Sequence, residues 1–360
     1  MLTIFCSHLN YLAETSFHGF YSLTSNGRLG VNFFLVLSGF VLAIGYSNKL
    51  DENSIREDIH FVKKRISKIY IPYLITMIMA IPWYIFQATS KDGFLNVKLL
   101  LCRLIINTGM IQSAIPYMKY STSINEVSWF ISTIFIIYLF TPGILRLNNK
   151  AAKHYTLLRL ICLIFAVLVV NCCVYMVIRE IEYVRFADRY LSIIYINPII
   201  RVFPFLLGII GYNIYCLMRD FRIRNGSFVE ILSISVFFLW WIIADKTGLH
   251  TVITECLDML ISMLVILTFA LSRGGIVSIM LSKEKALKLG NISLDFYLIH
   301  YLVINYGMIA AKHFSLDKGI FLLTILFFVL SLFGAYMIHS LSGWLVSAIK
   351  NKNSAFIRIL

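Results

Sequence analysis

The sequence predicts an all-α protein, a polytopic transmembrane helical bundle of about ten helices with the first one truncated. Three observations carry that reading. The chain is 59% hydrophobic and only 14% charged, whereas soluble domains sit nearer half apolar and a quarter charged. Apolar runs of the length that crosses hydrocarbon, about 20 residues, recur along all 360 positions. The net charge of +14 is concentrated in alternate loops, as cytoplasmic loops of membrane proteins collect Lys and Arg. In a soluble chain that excess would suggest nucleic acid; with a mean hydropathy of +0.81 it excludes a nucleic-acid partner and points to the lipid bilayer.

The opening stretch "MLTIFCSHLNYLAE" starts directly in apolar residues. It lacks the basic n-region and small-residue cleavage site of a signal peptide, so residues 1–13 read as the outer half of a first helix. His8 lies at most about 12 Å along such a helix at 1.5 Å per residue, too little to cross from the inside. Residues 30–47 form the next span, in which Ser38-Gly39 interrupts an aromatic and aliphatic run and lets a neighbouring backbone approach. The span 68–88 follows the basic stretch "FVKKRISKIYIPYL" (61–74). Residues 97–112 carry Lys98 and Arg103 and precede Pro116, which suits an interfacial or re-entrant segment. Further spans fall at 127–145, 157–178, 196–217, 228–245, 252–272, 288–311 and 319–345. Together 1–345 make one membrane domain, followed by a short basic cytoplasmic tail at 346–360.

Orientation follows from the basic residues. With residues 1–13 counted as a crossing, the larger share of the 32 Lys+Arg falls in the loops on the side of residue 1. Those loops hold Lys49 to Lys68, Arg146 to Arg159, Arg219 to Arg224, Arg273 to Lys288 and Lys350 to Arg358. Both termini are therefore expected in the cytoplasm, of a bacterial inner membrane once the resemblance below is considered. The seven cysteines are scattered in apolar runs without metal-ligand or redox spacing, and read as small buried hydrophobes.

Three pieces depart from generic membrane sequence. In "GRLGVNFFLVLSGFVLA" (27–43) the small residues suit helix packing. In 61–74, Lys63, Lys64, Arg65 and Lys68 cluster within two turns, and Arg65 and Lys68 share a face. They suit either an anchor on anionic lipid or a clamp for the phosphates of a nucleotide-like cofactor. In "LGNISLDFYLIHYLVI" (289–304), Asp295 and His300 sit in an apolar helix. A carboxylate there costs about 2.5–3.5 kcal/mol on insertion scales and should face the bundle interior or a polar cavity.

In order, "VNFFLVLSGF", "RISKIYIPY", "WFISTIFIIYLFTP" (129–142), "RVFPFLLG" (201–208) and "LGNISLDFYLIH" resemble acyltransferase family 3. These are integral membrane O-acyltransferases that include bacterial O-antigen and capsule O-acetyltransferases. The resemblance runs from His8 to about Leu345. It implies that His8 matches the histidine ending the family's first helix, whose basic partner would fall ahead of Met1. Asn32 stands where the family often has Asp, and Lys68 replaces the second arginine of an Arg-x-x-Arg pair. Ile134 stands where some branches carry a glutamate, while Trp129, Tyr138 and Pro142 are kept. Arg201, Phe205 and Gly208 match the sixth-helix pattern, and Ser293, Tyr297 and His300 the ninth.

The resemblance implies an acyl donor, acetyl-CoA, with its phosphates at Lys64, Arg65 and Lys68, and no metal. The acceptor is a polysaccharide or lipid-linked glycan, as in lipopolysaccharide. His8 is the expected general base, an acyl-histidine intermediate being the variant. Arg201 is expected either to stabilise the oxyanion or to pair with Asp188 or Glu182. Ser38, Trp129, Tyr138, Ser293 and His300 are expected to line the substrate cavity. A transporter or flippase of a lipid-linked sugar remains an alternative, because intramembrane Arg201, Asp295 and His300 would suit it equally. An inactive relative is the other alternative.

Overall fold

A computed structural model describes residues 1–9, 26–47, 54–180, 192–221, 225–247, 251–272, 274–315 and 320–359, with the isolated positions 19, 24, 189 and 223. The helices are α1 (Leu2–Ser7), α2 (Arg28–Tyr46), α3 (Ile55–Asp92), α4 (Val97–Thr108), α5 (Trp129–Ala152) and α6 (Leu157–Ile178). They continue with α7 (Pro198–Met218), α8 (Gly226–Ile243), α9 (Thr251–Ser272), α10 (Ser293–His313) and α11 (Ile320–Ile359). Among the described residues there is no strand, and nine helices are long and apolar enough to cross a membrane. The protein is an integral membrane protein. The expected tenth crossing is not one of the nine: the opening stretch supplies the six-residue α1. The basic positions Lys49, Arg222, Arg224 and Arg273, and the side chains of Lys350, Lys352 and Arg358 in the expected tail, lie outside the described residues.

The helices pack in the absence of a hydrophobic drive between them, because lipid tails are as apolar as leucine. Close backbone contact and polar cross-links must therefore hold the bundle. The closest crossing is α2 on α7. A Cβ built on Gly39 would run into the carbonyl of Phe205, and one on Gly208 into the carbonyl of Val36. The close approach expected at Ser38-Gly39 is thus made by Gly39, with Gly208 as its counterpart. At the far end of the bundle, Arg146 of α5 donates two hydrogen bonds to Asp58 of α3, at 2.9 and 2.6 Å. Asn213 of α7 reaches Asn148 of α5 at 2.7 Å. On the other flank, Asp295 of α10 faces the interior and pairs with His339 of α11 at 3.0 Å, as its position in an apolar helix required.

The long α3 shows how the bundle repairs broken backbone. Its start is capped by Ser54, which accepts from the Glu57 N–H, a standard N-cap arrangement. Pro82 disrupts the ladder within the helix. There the Tyr306 hydroxyl of α10 donates to the Met79 carbonyl at 2.8 Å and accepts from the Trp83 N–H at 3.0 Å. In hydrocarbon no water could do this.

Residues 97–112, expected to be interfacial or re-entrant, are not among the nine spans. α4 spans 12 residues, and the chain then turns back through irregular structure. That turn is buried against the middle of α3 and the first turns of α5. The Tyr73 hydroxyl donates to the Asn107 carbonyl at 2.7 Å, and Gln112 Nε2 donates to Tyr73 at 3.1 Å. Ser132 hydrogen-bonds the Met110 carbonyl and the Ser113 N–H at 2.8 and 3.1 Å. Non-helical backbone at this depth is tolerated where protein buries it.

Replacing Gly39 or Gly208 by Ala should lower the melting temperature in detergent, by the equivalent of about 1–3 kcal/mol for overpacking each. Gly143→Ala, whose Cβ meets nothing within 4 Å, should leave it unchanged.

Candidate active site

Five elements meet at a cavity of about 230 Å³ lined by Ile4, Ser7, His8, Gly27, Val31, Trp129, Tyr195 and Tyr297. α1 lies along the first turns of α2 because glycines there leave room. A Cβ on Gly27 would meet the Ser7 side chain, and one on Gly30 that of Thr3. That contact places His8, which ends α1, at the cavity. Trp129 is the first residue of α5, delivered by the irregular segment before it. Tyr195 comes from a single π-helical turn, Ser192–Ile196, that leads into α7. Such turns recur at functional sites.

Behind His8 stands His300, 1% exposed, with the two ring centroids 5.2 Å apart. Tyr301 meets His8 edge-on at 5.3 Å, and its hydroxyl hydrogen-bonds the Glu126 carboxylate. Glu126, from the turn before Trp129, thus reaches His8 only through the Tyr301 ring; position 134 holds Ile134, a buried core residue.

Arg201 is fully buried and satisfied by four partners. Its Nη1 lies 2.5 Å from the Glu255 carboxylate and 3.0 Å from Asn32 Oδ1. Its Nε donates to the Tyr195 carbonyl at 2.8 Å, and Nη2 to that of Ile194 at 2.9 Å. The guanidinium carbon sits 5.1 Å from the Tyr195 ring centroid. Arg201 is not in the cavity wall; it holds the turn that presents Tyr195. Its acidic partner is Glu255, whereas Asp188 and Glu182 lie outside the described residues. Asn32, where the family often has Asp, serves as a neutral acceptor while Glu255 brings the charge.

A second ion pair sits beside the first: Arg28 Nε is 2.7 Å from Asp258, which also accepts from the Trp240 indole at 2.7 Å. Glu255 and Asp258 are three residues apart on one face of α9. Sequence reasoning passed over both. The signal that singled out Asp295, an acid inside an apolar helix, applies equally to "TECLDML" (254–260).

The remaining expected site residues fall into separate places. Trp129 joins His8 in the cavity wall, with His300 behind. Ser38 and Tyr138 meet farther along the bundle, where the Tyr138 phenol is within interaction range of the Ser38 hydroxyl and the Arg65 guanidinium. Arg65 is half-buried with its guanidinium over the rings of Tyr46 and Phe61, at 5.1 and 6.0 Å. Lys64 and Lys68 are exposed on the same stretch of α3. Tyr46 and Phe61 also line a cavity of about 650 Å³ with Arg56, Glu57, His60 and Lys63, whereas Lys64, Arg65 and Lys68 do not line it. Arg56 and His60 were not anticipated. Ser293 is half-buried at the start of α10, two turns from His300, and does not line the His8 cavity.

A family model described as an acyltransferase domain matches residues 1–340, nearly the whole membrane bundle. The chain belongs to the acyltransferase 3 family. No curated protein and no solved structure gave a significant match. An acyltransferase needs an acyl donor and an acceptor. Two of its cavities carry polar chemistry of different kinds: one at His8, and one with basic and aromatic walls toward the other end of α2 and α3. Val31 in the first and Tyr46 in the second are 15 residues apart on α2, about 22 Å at 1.5 Å per residue.

Removing one member of a buried ion pair strands the other charge, a loss of about 3–5 kcal/mol. Arg201→Met and Glu255→Met should each destabilise the purified protein strongly. The double variant should recover much of the loss in melting temperature, and a strictly additive double variant would show the two charges to be uncoupled.

Proposed function

We propose that this acyltransferase moves an acetyl group from cytoplasmic acetyl-CoA to a hydroxyl of a lipid-linked or cell-surface glycan in a bacterial inner membrane. The observation that carries the reading is His8 in the wall of a polar cavity inside a membrane bundle. In the proposed orientation the basic end of α3 faces the cytoplasm, in keeping with the excess of Lys and Arg there, and the His8 cavity lies toward the outer side.

The donor phosphates would be held by Arg56, Lys63 and Arg65, with Lys64 and Lys68 adding charge around the mouth. Guanidinium and ammonium groups pair well with phosphate oxygens. Tyr46 and Phe61 offer ring faces for a base. Ser38 and Tyr138 lie between that mouth and the His8 cavity and suit the walls of a passage for the donor's thin arm. Acceptor glycan would enter from the opposite side.

At the cavity His8 acts as general base, the usual role of histidine in acyl transfer. It takes the proton from the acceptor hydroxyl as that oxygen attacks the thioester carbonyl. Collapse of the tetrahedral intermediate breaks the carbon–sulfur bond, and the proton passes from His8 to the departing thiolate. The oxyanion needs a donor aimed at it. The Trp129 indole N–H and the Tyr195 phenol are the cavity groups suited to that role, with Arg201 holding Tyr195 in place. Arg201 itself is spent on its four partners. This division of labour favours transfer over glycan transport, because a transport path needs no base held against a closed pocket.

Deletion of the gene and complementation, read by NMR of surface glycan O-acetyl groups, tests the function. Wild type should restore the signals, and His8→Ala should reduce transfer by about 10²–10⁴-fold, the usual contribution of a general base. Full acetylation by His8→Ala would remove the assignment, and altered glycan export with unaltered acylation would favour the transporter. A second measurement concerns the donor. Arg65→Ala with Lys68→Ala should raise the KM for acetyl-CoA at least about tenfold, since a single charge-assisted contact contributes about 1.5–3 kcal/mol, with kcat little changed. An unchanged KM would make the cluster a lipid anchor.

A further inference from the structure

His300 carries a buried acceptor that the fold leaves unused. Its Nδ1 lies 2.8 Å from the Tyr297 carbonyl and 3.2 Å from that of Phe296. Carbonyl oxygens only accept, so the proton is on Nδ1 and the lone pair on Nε2. Phe296 stacks on the imidazole at 5.8 Å with 4° between the planes, and Phe5 closes in at 6.3 Å. The ring is therefore held in one orientation. Nε2 is buried without a hydrogen-bond partner.

Among the aromatic and imidazole rings of the described residues that pack around His300, the free donors narrow to one. Tyr297 gives its hydroxyl proton to the Val127 carbonyl at 2.6 Å, and Tyr301 gives its own to Glu126. The remaining polar ring is His8, 5.2 Å away between centroids and tilted by 55°. An N–H···N bond of about 2.9 Å between two imidazoles sets their centroids about 5 Å apart. The centroid spacing for such a bond is already built.

We propose that His300 is the positioning residue for His8: its Nε2 accepts the inner N–H of His8, so that the other nitrogen of His8 presents its lone pair to the cavity. The proposal rests on His8 as general base and adds what makes it one. A histidine whose tautomer is free divides its lone pair between two nitrogens; a fixed acceptor behind it selects the useful form. The backbone carbonyls of Phe296 and Tyr297 hold His300, and His300 holds His8. When His8 takes the hydroxyl proton, its inner N–H stays on His300, and the proton acquired on the cavity side is the one released to the thiolate.

The test uses the full chain in lipid nanodiscs and two readouts. The first is carbethoxylation of His8 by diethyl pyrocarbonate, followed by peptide mass spectrometry, which needs no acceptor and no turnover. His300→Leu should slow it about tenfold, the lower end of the loss when a histidine's orienting partner is removed. His300→Gln, which keeps an acceptor oxygen, should restore most of the rate. The second is acyl transfer, where His300→Leu should lower kcat with the KM for acetyl-CoA unchanged and His300→Gln should recover it. Melting temperatures of both variants separate this from unfolding. Wild-type rates in a folded His300→Leu would overturn the proposal, as would modification of His300 itself in the wild type. If His300→Leu slows modification of His8 but His8→Ala still transfers acyl groups, the coupling stands and the general-base reading falls.

Discussion

The guanidinium of Arg201, buried in the middle of a membrane bundle, is the constraint on which the rest of the structure depends. An unpaired charge at that depth is expensive, so its surroundings are organised to satisfy it. Glu255 supplies the counter-charge, Asn32 a neutral acceptor, and two carbonyls of the π-turn the remainder. Those partners come from α9, α2 and the lead into α7, so one side chain fixes the register of three elements. Because Gly39 and Gly208 let α2 and α7 touch backbone to backbone, that register is held closely along their length. The Arg28–Asp258 pair repeats the device one turn away on α9.

The site lies where regular helices give way to irregular backbone. Trp129 follows an irregular segment, Tyr195 sits in a π-turn, and His8 ends a helix of six residues. Regular membrane helices hydrogen-bond their own backbone and need nothing from neighbours; irregular ones must borrow partners. Here Tyr73, Gln112, Ser132 and Thr133 provide them, Thr133 by donating to the Ile196 carbonyl at 2.8 Å as well as to its own helix. The polar side chains that satisfy the irregular backbone also form the shell around the cavity. A site of this kind gains rigidity from the requirement that no buried polar group go unpaired. His300 Nε2, beside His8, is one of the buried polar atoms left without a partner.

In the proposed function, two separate cavities let one acyltransferase serve both faces of a membrane. The basic one gathers Arg56, Lys63 and aromatic rings, with Glu57 and His60 beside them. The one at His8 is small and lined by phenol, indole and imidazole. In the proposed reaction only the donor's narrow arm has to bridge the roughly 22 Å between them along α2, while its charged end and the glycan stay in water.

Composition and periodicity alone determined the fold class, because hydrocarbon imposes a length and an apolar content that few other environments demand. They also set 97–112 apart from the spans, through its charges and the following Pro116, and placed the glycine approach at Gly39. The five motifs in order determined the family and brought His8 and Trp129 forward as site residues. Sequence could not decide which charges meet. Arg201 and Glu255 are 54 positions apart, and nothing local to either names the other. Their pairing exists only because α7 and α9 pack on α2. For the same reason, Glu126 meets Tyr301, which packs on His8, and His300 lies against that histidine with its Nε2 unpaired. A membrane sequence records which residues must be hidden from lipid. Only the tertiary structure decides what each hidden polar group finds there, because in a medium without water every partner has to come from another helix.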